Sequence, residues 1–309
     1  MLTLARIQAA AARIAPHVVT TPVLQSAELN RRTQNLLFFK AEHRQATGAF
    51  KARGATNAIF SLSPAIAARG VVTHSSGNHA AAVAYAAKLR GVSAHIVMPT
   101  NVSATKRANV LAHGGIIIDC EPSIESREDT AAHVLAVKGG TLIHPYNDFD
   151  VMAGQGTAAL ELLAAHPDLD LILCPVGGGG LLSGTAVAAK SLRPSIRVIG
   201  VEPAAADDAA QSFRSGQLVR PTAPPLTIAD GLRGALGDLT FATIQANVND
   251  IVTIDEIAIR TTATLLQHTF SEAIEPSSAV PLAALLAGVI PSPSGLQIGI
   301  ILTGGNVAI

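Results

Sequence analysis

The sequence predicts an α/β protein with two lobes, each an open, mostly parallel, twisted sheet flanked by helices. Short runs of branched aliphatic residues alternate with Ala-rich helical stretches along the 309 residues, as in chains built from strand, helix and strand units. Most of these runs are apolar throughout, which is typical of parallel strands covered by helices on both faces. Hydrophobic residues form 49% of the chain and charged residues 14%, so the chain can bury a large core.

Eight segments have the composition of strands. In chain order they are NLLFFKAE, GVVTHSS, SAHIVMPT, GIIIDC, LDLILCPV, IRVIGVEP, DIVTI and IGIILTGG. Each is short enough for a strand and contains Val, Ile, Leu or Phe in succession. We therefore expect eight strands.

The helices between these strands have recognisable boundaries. At the N-terminus, Leu, Ile and Ala are spaced around Arg6 and Arg13 as on an amphipathic helix, and no cleavage pattern of a secretion signal follows. Segment 76–91 begins with Ser and Asn, which favour helix starts, and ends with Gly, which favours helix ends. Segment 103–114 has similar signals at both ends, so a helix is expected in each segment.

The order of these elements predicts two domains. Residues 70–145 contain a self-contained group of strand and helix units, which we expect to form a small domain inserted in the chain. Residues 1–69 and 146–309 would together form the large domain. The Pro-rich segment 217–227 is expected to be a surface loop.

Composition excludes several classes of function. Lys and Arg number 22, as do Asp and Glu, so the formal net charge is zero and no overall positive field would hold nucleic acid or an anionic membrane. No apolar stretch is long enough to predict a transmembrane helix. The two cysteines, Cys120 and Cys174, are too few for a disulfide scaffold or a Cys-rich zinc site. These features are typical of a cytoplasmic enzyme.

Four consecutive glycines, Gly177–Gly180, lie between a predicted strand and an Ala-rich helix. Glycines let the backbone fold so that several N–H groups point at one place, at the positive end of the helix dipole. The spacing matches neither the dinucleotide-binding pattern nor a P-loop. The segment therefore predicts a cradle for the phosphate of a cofactor held by backbone amides, although a flexible turn is the simpler interpretation.

Lys51 follows Phe50 in the segment TGAFKARGA, at a probable helix start. A lysine that apolar neighbours remove from water has a lowered pKa and becomes a competent amine for imine formation. This stretch by itself favours an ordinary surface lysine, since most lysines are exposed.

A polar segment, THSSGNHA, lies where a predicted strand ends and a helix begins. In open α/β sheets ligands bind at such strand ends, and a helix start supplies N–H donors for a carboxylate. Ser75, Ser76, Asn78 and His79 are therefore candidates for substrate binding. Helix capping is the alternative, because Ser and Asn are common caps.

In this order, the segments resemble the β-family, or fold-type II, of pyridoxal 5′-phosphate enzymes, whose fold is like that of the tryptophan synthase β subunit. Within it, the chain resembles the serine/threonine dehydratase and serine racemase group. The resemblance runs over nearly the whole chain. It rests on TPVLQSAELN, TGAFKARGA, SSGNHA, AGQGT, PVGGGG, GVEP, ADGLR, IEPSSA and LTGGN.

The resemblance implies roles for the cofactor-binding residues. Lys51 would form the Schiff base with pyridoxal phosphate and, once released, act as the base. Phe50 would lie beside the cofactor, and Asn78 would bind its ring hydroxyl. Thr303 would face the ring nitrogen. The phosphate would be held by the glycines together with the next residue, a set that comprises Gly177, Gly178, Gly179, Gly180 and Leu181. The large domain would bind the cofactor and the small domain would lie on the substrate side.

The resemblance also implies substrate-side roles. Ser76 matches the serine racemases and hydroxyaspartate dehydratases, whereas typical threonine deaminases have Ala there. Its hydroxyl would lie on the face opposite Lys51 and could move a proton there, with helix capping as the alternative. Arg127 could pair with the second carboxylate of a substrate such as 3-hydroxyaspartate, or be a surface charge. For His79, packing inside the protein is favoured over substrate binding, because a His just inside a helix often only packs.

An acidic pattern, with Glu202, Ala206 and Asp208, follows the predicted strand IRVIGVEP. Two carboxylates and a backbone carbonyl form an oxygen-only ligand set, which suits Mg²⁺, Ca²⁺ or Mn²⁺ better than zinc. Serine racemases of the eukaryotic type have the same pattern with a divalent ion. A solvated acidic turn is the alternative.

Three positions depart from the mammalian racemases. Gly234 stands where they have a Ser near the substrate, and Tyr146 stands where they have Asn. His113 replaces a Tyr of their nucleotide site. Activation by ATP is therefore not assumed.

The function that the resemblance implies is that of a pyridoxal-phosphate-dependent ammonia-lyase. It would convert a small β-hydroxy amino acid (serine, threonine or 3-hydroxyaspartate) to a 2-oxo acid and ammonia. A racemase of the same family, acting on serine or aspartate, is an open alternative, and so is a non-catalytic protein that binds the cofactor or a metabolite. A homodimer with a small amino acid as its substrate is expected.

Overall fold

The secondary structure is taken from a computed structural model, which describes residues 1–75, 77–223 and 225–307. Helices within these ranges are α1 Leu4–Ile14, α2 Ala27–Thr33, α3 Lys51–Ser61, α4 Pro64–Ala67, α5 Asn78–Arg90, α6 Ala104–Ala112, α7 Ile124–Lys138, α8 Phe149–Ala165, α9 Gly180–Leu192, α10 Asp208–Ser215, α11 Asp238–Asn247, α12 Glu256–Phe270 and α13 Pro276–Leu286. Short 3₁₀ helices span Glu42–Arg44, Ala204–Ala206 and Asp230–Leu232.

The strands form two sheets. They are β1 Val23–Leu24, β2 Leu36–Ala41, β3 Val71–His74, β4 Ala94–Pro99, β5 Ile116–Cys120, β6 Thr141–Leu142, β7 Leu171–Pro175, β8 Arg197–Pro203, β9 Asp250–Ile254 and β10 Gln297–Leu302. The larger sheet has the order β1-β2-β10-β7-β8-β9, and the smaller has the order β5-β4-β3-β6. Every pairing is parallel except that of β1 with β2. The predicted fold class is confirmed.

The eight predicted strands are all present, as β2 to β5 and β7 to β10. Sequence analysis missed β1 and β6, because two residues are too few to show a periodic pattern. The N-terminal helix and both helices with boundary signals are also confirmed. Gly91 ends α5 with φ +72°, and the Ser103 side chain caps α6. The described residues of segment 217–227 belong to no helix or strand, as predicted for a loop.

The larger sheet is buried on both faces, which explains its continuously apolar strands. Side chains alternate between two hydrophobic clusters along β7: Leu171 and Leu173 belong to one, and Ile172 and Cys174 belong to the other. Successive strand residues point to opposite faces, so a strand covered by helices on both sides needs an apolar residue at every position.

Helix α3 packs against the core of the smaller sheet. Ala55, Ala58 and Ile59 share a hydrophobic cluster with Val71 of β3 and with residues of α5. The N-terminus of α3 directly follows the loop that leaves β2 of the larger sheet. The start of α3 therefore lies where elements of both sheets meet.

Arg53, in the first turn of α3, is held by buried ion pairs. Its side chain is 0% exposed and donates to both carboxylate oxygens of Glu42, at 2.7 and 2.8 Å, and to both oxygens of Glu161, at 2.7 and 2.8 Å. Lys40 also donates to Glu161, at 2.5 Å. Burial by itself raises the pKa of Glu42, but the attraction of Arg53 outweighs it and lowers the pKa. The network joins the end of β2, α3 and α8.

The candidate residues lie at the carboxyl ends of the parallel strands. Strands β3 and β7 run directly into the segments that begin at Ser75 and Val176, and β8 ends next to the acidic pattern at Glu202. Thr303 immediately follows β10. This edge is where ligands bind in open α/β sheets.

Candidate active site

Lys51 is the first residue of α3 and is partly buried. Its Nζ donates a hydrogen bond of 2.8 Å to the carbonyl of Pro145 and lies 5.1 Å from the centre of the Phe50 ring. The backbone N–H of Phe50 donates to the carbonyl of Thr303 at 3.0 Å, which joins this helix start to the end of β10. Burial lowers the pKa of Lys51 to about 8, against the attraction of Glu275. A substantial fraction of the amine is thus neutral near pH 8.

Gly177–Gly180 connect β7 to α9, and close packing explains why each is glycine. A Cβ on Gly177 would lie 2.8 Å from the Cα of Leu232, and one on Gly178 would overlap the ring of Tyr146. Gly179 has φ +86°, a conformation that other residues rarely adopt. Its Cβ would also meet Leu236 at 2.6 Å.

The backbone amides of this loop fit a phosphate. No protein acceptor is found for the N–H groups of Gly177, Gly178 and Gly179 among the described residues. They precede the N-terminus of α9, which carries the positive end of its dipole. Leu181, 5% exposed, belongs to the hydrophobic core beneath the loop. The loop is therefore tightly packed rather than flexible, and its free amides fit an anion.

Asn78 begins α5, and its side-chain amide is held at both ends. Its Nδ2 donates to the Glu275 carboxylate at 3.1 and 3.3 Å, and its Oδ1 accepts from Asn306 at 2.9 Å. Asn306 also donates to the carbonyl of Thr47 at 2.9 Å. Both contacts are to one carboxylate, whose two oxygens can share a single N–H, and the second hydrogen of the amide nitrogen is then left for a ligand.

The neighbours of Asn78 in the same segment differ in their surroundings. The Ser75 hydroxyl accepts from the N–H of Gly77 at 3.4 Å. His79 is 2% exposed, and its Nε2 lies 3.1 Å from the carbonyl of Ile143. Burial lowers the pKa of His79 well below its usual range, so the ring is neutral. Its burial and its contact with the Ile143 carbonyl agree with a packing role. Ser76 lies outside the described residues.

Thr303 is 2% exposed at the end of β10. Its hydroxyl lies 3.0 Å from that of Ser278, and Ser278 is bonded to both the N–H and the carbonyl of Gly304 at 2.9 Å. Thr303 therefore has its hydroxyl oriented by a neighbour. Sequence analysis assigned no role to Ser278, although it belongs to the IEPSSA segment.

Glu275 is the acidic residue of the site that sequence analysis missed. It precedes α13, is 5% exposed and bonds Asn78. Burial raises the pKa of Glu275 to about 7; the Asn78 hydrogen bond lowers it, the charge of Asp230 raises it, and the charge of Lys106 lowers it. The available signal was an acid directly before Pro in an otherwise small and apolar segment.

Arg127 lies apart from these residues, on α7. Its Nε donates to the carbonyl of Ser123 at 3.3 Å. Ala131, one turn further along α7, shares a hydrophobic cluster with Val72 of β3. Since α7 joins two parallel strands of the smaller sheet, its first turn, with Arg127, lies towards the carboxyl ends of those strands.

Glu202 and Asp208 form a second, separate group, in which both carboxylates are at least 95% buried. Glu202 accepts from the N–H groups of Ala209 and Ala210 at 3.2 and 3.0 Å, and Asp208 Oδ2 is buried without a partner. Burial raises the pKa of Glu202 to about 9 and that of Asp208 to about 6.

A divalent cation fits this group, because it would stabilise the ionised forms of two carboxylates that burial disfavours and would satisfy the orphaned oxygen. The Ala206 carbonyl would complete an oxygen-only set. Within the described ranges, no group of three or more His, Cys, Asp or Glu side chains could hold a metal, so any cation here would need backbone and water ligands.

Comparison with known proteins shows the family. Residues 14–304 match the family described as "Pyridoxal-phosphate dependent enzyme". The chain belongs to this family. It is 49% identical to a serine racemase of Oryza sativa subsp. indica over 306 residues, which cover 97% of this chain and 90% of that protein. It is 48% identical to a β-hydroxyaspartate dehydratase of Paracoccus denitrificans over 299 residues, covering 97% and 94%.

A solved structure of maize serine racemase is similar throughout. Its TM-score is 0.97 at 47% identity, and the match covers 100% of this chain and 94% of that one. Pyridoxal phosphate is the cofactor of the family, and the site fits it. The glycine loop has free amides for a phosphate, and Lys51 has an amine whose pKa is lowered towards neutrality.

We predict that Lys51→Ala abolishes covalent attachment of pyridoxal phosphate while the protein stays folded, because only a deprotonated amine near the cofactor can bond its aldehyde. Borohydride reduction followed by peptide mass spectrometry measures this. Lys88→Ala, at an exposed position of α5, is the control and should keep the modified peptide. Equal labelling of the Lys51 variant would show that another residue anchors the cofactor.

We also predict that Glu275→Gln lowers the pKa of Lys51 below about 8, because the carboxylate charge that favours the ammonium form is removed. Absorbance can follow the reaction of Lys51 with pyridoxal phosphate in cofactor-free protein against pH. The midpoint should move to lower pH in the variant, whereas the exposed control Glu125→Gln should leave it in place. An unchanged midpoint in Glu275→Gln contradicts the assigned coupling.

Proposed function

We propose that this protein is an ammonia-lyase that converts a small β-hydroxy amino acid to a 2-oxo acid and ammonia. The candidate substrates are serine, threonine and 3-hydroxyaspartate. The observation that carries the proposal is the Lys51 amine at the start of α3. Its pKa is lowered, and it donates to Pro145, which adjoins the Tyr146 that packs on the glycine loop. The similarity to the Paracoccus dehydratase supports this reaction class.

The cofactor would be held by groups from both sheets. The amides of Gly177–Gly180 would bind its phosphate, with Leu181 packing beneath them and Phe50 beside the ring. The remaining amide hydrogen of Asn78 would be donated to the ring hydroxyl. The Thr303 hydroxyl would face the ring nitrogen.

Pyridoxal phosphate, once bound, supplies an electron sink that makes the Cα proton of an amino acid removable. The substrate carboxylate would bind at the start of α5, where Ser75, Ser76 and Asn78 supply donors and His79 supports the helix. Lys51 would take the Cα proton, since its neutral amine lies beside the reacting atoms. Its ammonium form could then protonate the departing β-hydroxyl. Hydrolysis of the released product gives the 2-oxo acid and ammonia.

Serine racemisation is the second candidate, and the identity to the rice and maize racemases favours it. It would need a second proton carrier opposite Lys51, a role that Ser76 would fill. Aspartate racemisation is the related variant. A protein that only binds the cofactor or a metabolite would do neither.

A substrate panel with serine, threonine and 3-hydroxyaspartate separates these functions. We expect ammonia and 2-oxo acid in equal amounts, with little inversion of the recovered substrate on chiral chromatography. Inversion faster than ammonia release would establish the racemase. If the fully loaded protein forms neither ammonia nor inverted substrate, only the function of a binding protein remains.

We further propose that Glu202, Asp208 and the Ala206 carbonyl bind Mg²⁺, Ca²⁺ or Mn²⁺. An ion that binds only the folded state stabilises it, by about 2.7 kcal/mol at a hundred times its dissociation constant. Added Mg²⁺ should therefore raise the melting temperature, and a chelator should lower it.

The matched variants for this prediction are Asp208→Asn and Asp207→Asn. Asp207 is the adjacent, half-buried residue, which accepts a hydrogen bond from Gln211 at 2.7 Å. The Asp208 variant should lose the Mg²⁺-dependent rise in melting temperature, and the Asp207 variant should keep it. Melting curves that do not respond to Mg²⁺ in the wild type would refute the site.

From the family resemblance we also propose that the protein is a cytoplasmic homodimer. Its substrate would be a small amino acid, and it would not bind nucleic acid. Among the described residues, no helix is long and apolar enough to cross a bilayer. Size-exclusion chromatography with light scattering tests the dimer directly.

A further inference from the structure

Tyr146 packs against the glycine loop, and its ring contacts the backbone of Gly178. A Cβ on Gly178 would overlap the ring, and one on Gly180 would lie 3.0 Å from the Tyr146 Cβ. On the far side, a Cβ on Gly234 would lie 3.4 Å from the ring and 3.8 Å from the hydroxyl. The phenol therefore occupies the space between the loop and Gly234. The two departures from the racemase pattern, at 146 and 234, are neighbours.

The segment that carries Tyr146 is held on both sides. The Nδ1 atom of His144 accepts from the N–H groups of Tyr146 at 3.3 Å and Asn147 at 2.8 Å, and the rings of His144 and Tyr146 meet edge to face at 4.7 Å. The Asn147 side chain accepts from the N–H groups that begin α11. Pro145, between them, accepts from Lys51. The phenol is thus fixed one residue from the group that holds the reacting amine.

The Tyr146 hydroxyl is a donor without a protein acceptor. Among the described residues it forms no hydrogen bond, and it is not one of the fully buried polar atoms that lack a partner. The hydroxyl oxygen of this half-buried residue is therefore partly exposed. Burial raises the pKa of the phenol, which keeps it protonated at neutral pH.

Charged side chains of both signs shift the pKa of the Tyr146 phenol. Arg127 and Arg220 lower its pKa, and Asp208 and Glu128 raise it. In the part of the chain that the structure describes, no carboxylate forms an ion pair with Arg127. The geometry agrees: Arg127 is in the first turn of α7, which packs on β3. The His74 ring at the end of β3 meets the His144 ring at 5.9 Å, and His144 meets Tyr146. The hydroxyl and the guanidinium therefore lie at the same edge of the smaller sheet.

We propose that Tyr146 determines the substrate side chain, with its hydroxyl and the Arg127 guanidinium binding the second carboxylate of 3-hydroxyaspartate, an inference that rests on the proposed function. Hydrogen bonds to a charged group are stronger than those between neutral groups. A site built to bond a polar group discriminates strongly against a substrate that lacks it. Gly234 serves this role by leaving room for the phenol.

Tyr146→Phe removes the hydroxyl and keeps the ring on Gly178. We expect kcat/KM for 3-hydroxyaspartate to fall about 10- to 100-fold, mainly through KM, while kcat/KM for serine changes less than about twofold. Tyr85→Phe is the matched control: its hydroxyl donates to the His17 carbonyl at 2.8 Å, away from Lys51, and its loss should leave the ratio unchanged. Cofactor content and melting temperature verify that each variant is folded.

A rescue variant distinguishes a bonding role from a packing role. Gly234→Ser in the Tyr146→Phe background places a hydroxyl near the lost one, because its Cβ lies only 3.8 Å from the phenol oxygen of the wild type. Partial recovery of 3-hydroxyaspartate selectivity supports the proposal. Equal loss with serine and 3-hydroxyaspartate in Tyr146→Phe overturns it.

Binding measurements keep the test independent of turnover. Aspartate and alanine have no β-hydroxyl to lose, so calorimetry on the loaded enzymes gives their dissociation constants whether or not the protein is a lyase. Wild type should prefer aspartate, and Tyr146→Phe should lose most of that preference. Preference for alanine, or an unchanged preference in the variant, overturns the inference. Absence of ammonia release from every hydroxy amino acid overturns only the proposed function.

Discussion

The buried ion pairs of Arg53 are the constraint on which the site depends. One guanidinium satisfies two carboxylates that belong to different elements, Glu42 after β2 and Glu161 on α8. Removing one partner from such a group leaves an uncompensated buried charge and costs about 3 to 5 kcal/mol. Since α3 begins only two residues earlier, the same pairs fix the position of Lys51. The reactive amine is placed by charges that take no part in its chemistry.

Close contact between helices also fixes the position of Lys51. A Cβ on Gly154 would lie 2.6 Å from the carbonyl of Arg53, and one on Gly156 would lie 2.9 Å from that of Gly184. Helices α3, α8 and α9 therefore approach backbone to backbone. The AGQGT segment, which contributed to the family resemblance, serves this packing. It brings the starts of α3 and α9, and with them Lys51 and the glycine loop, to one edge of the fold.

Burial decides the electrostatics of the site. It lowers the pKa of Lys51 to about 8 and that of His144 to about 4, and it raises that of Glu275 to about 7. Each shift favours the neutral form, because charge is costly away from water. The site can therefore exchange protons near neutral pH. Recognition of charge is left to groups at its side, among which Arg127 forms no ion pair with a carboxylate of the described residues.

The sequence by itself determined the fold class, eight of the strands, and the segments with Lys51, Asn78 and the four glycines. The strands and the glycine turn were readable because continuous apolar runs and glycine-rich turns are local patterns, whereas the roles of Lys51 and Asn78 came from the family resemblance. Only the tertiary structure brought Glu275 to Asn78, Ser278 to Thr303 and Tyr146 to Gly234. Those residues lie far apart in the chain and have no common period, so their contact depends on how β3, β7 and β10 order themselves in two sheets. The sequence contains no local pattern that predicts which side chains meet at the strand ends. The packing of the helices and sheets decides which of them are in contact.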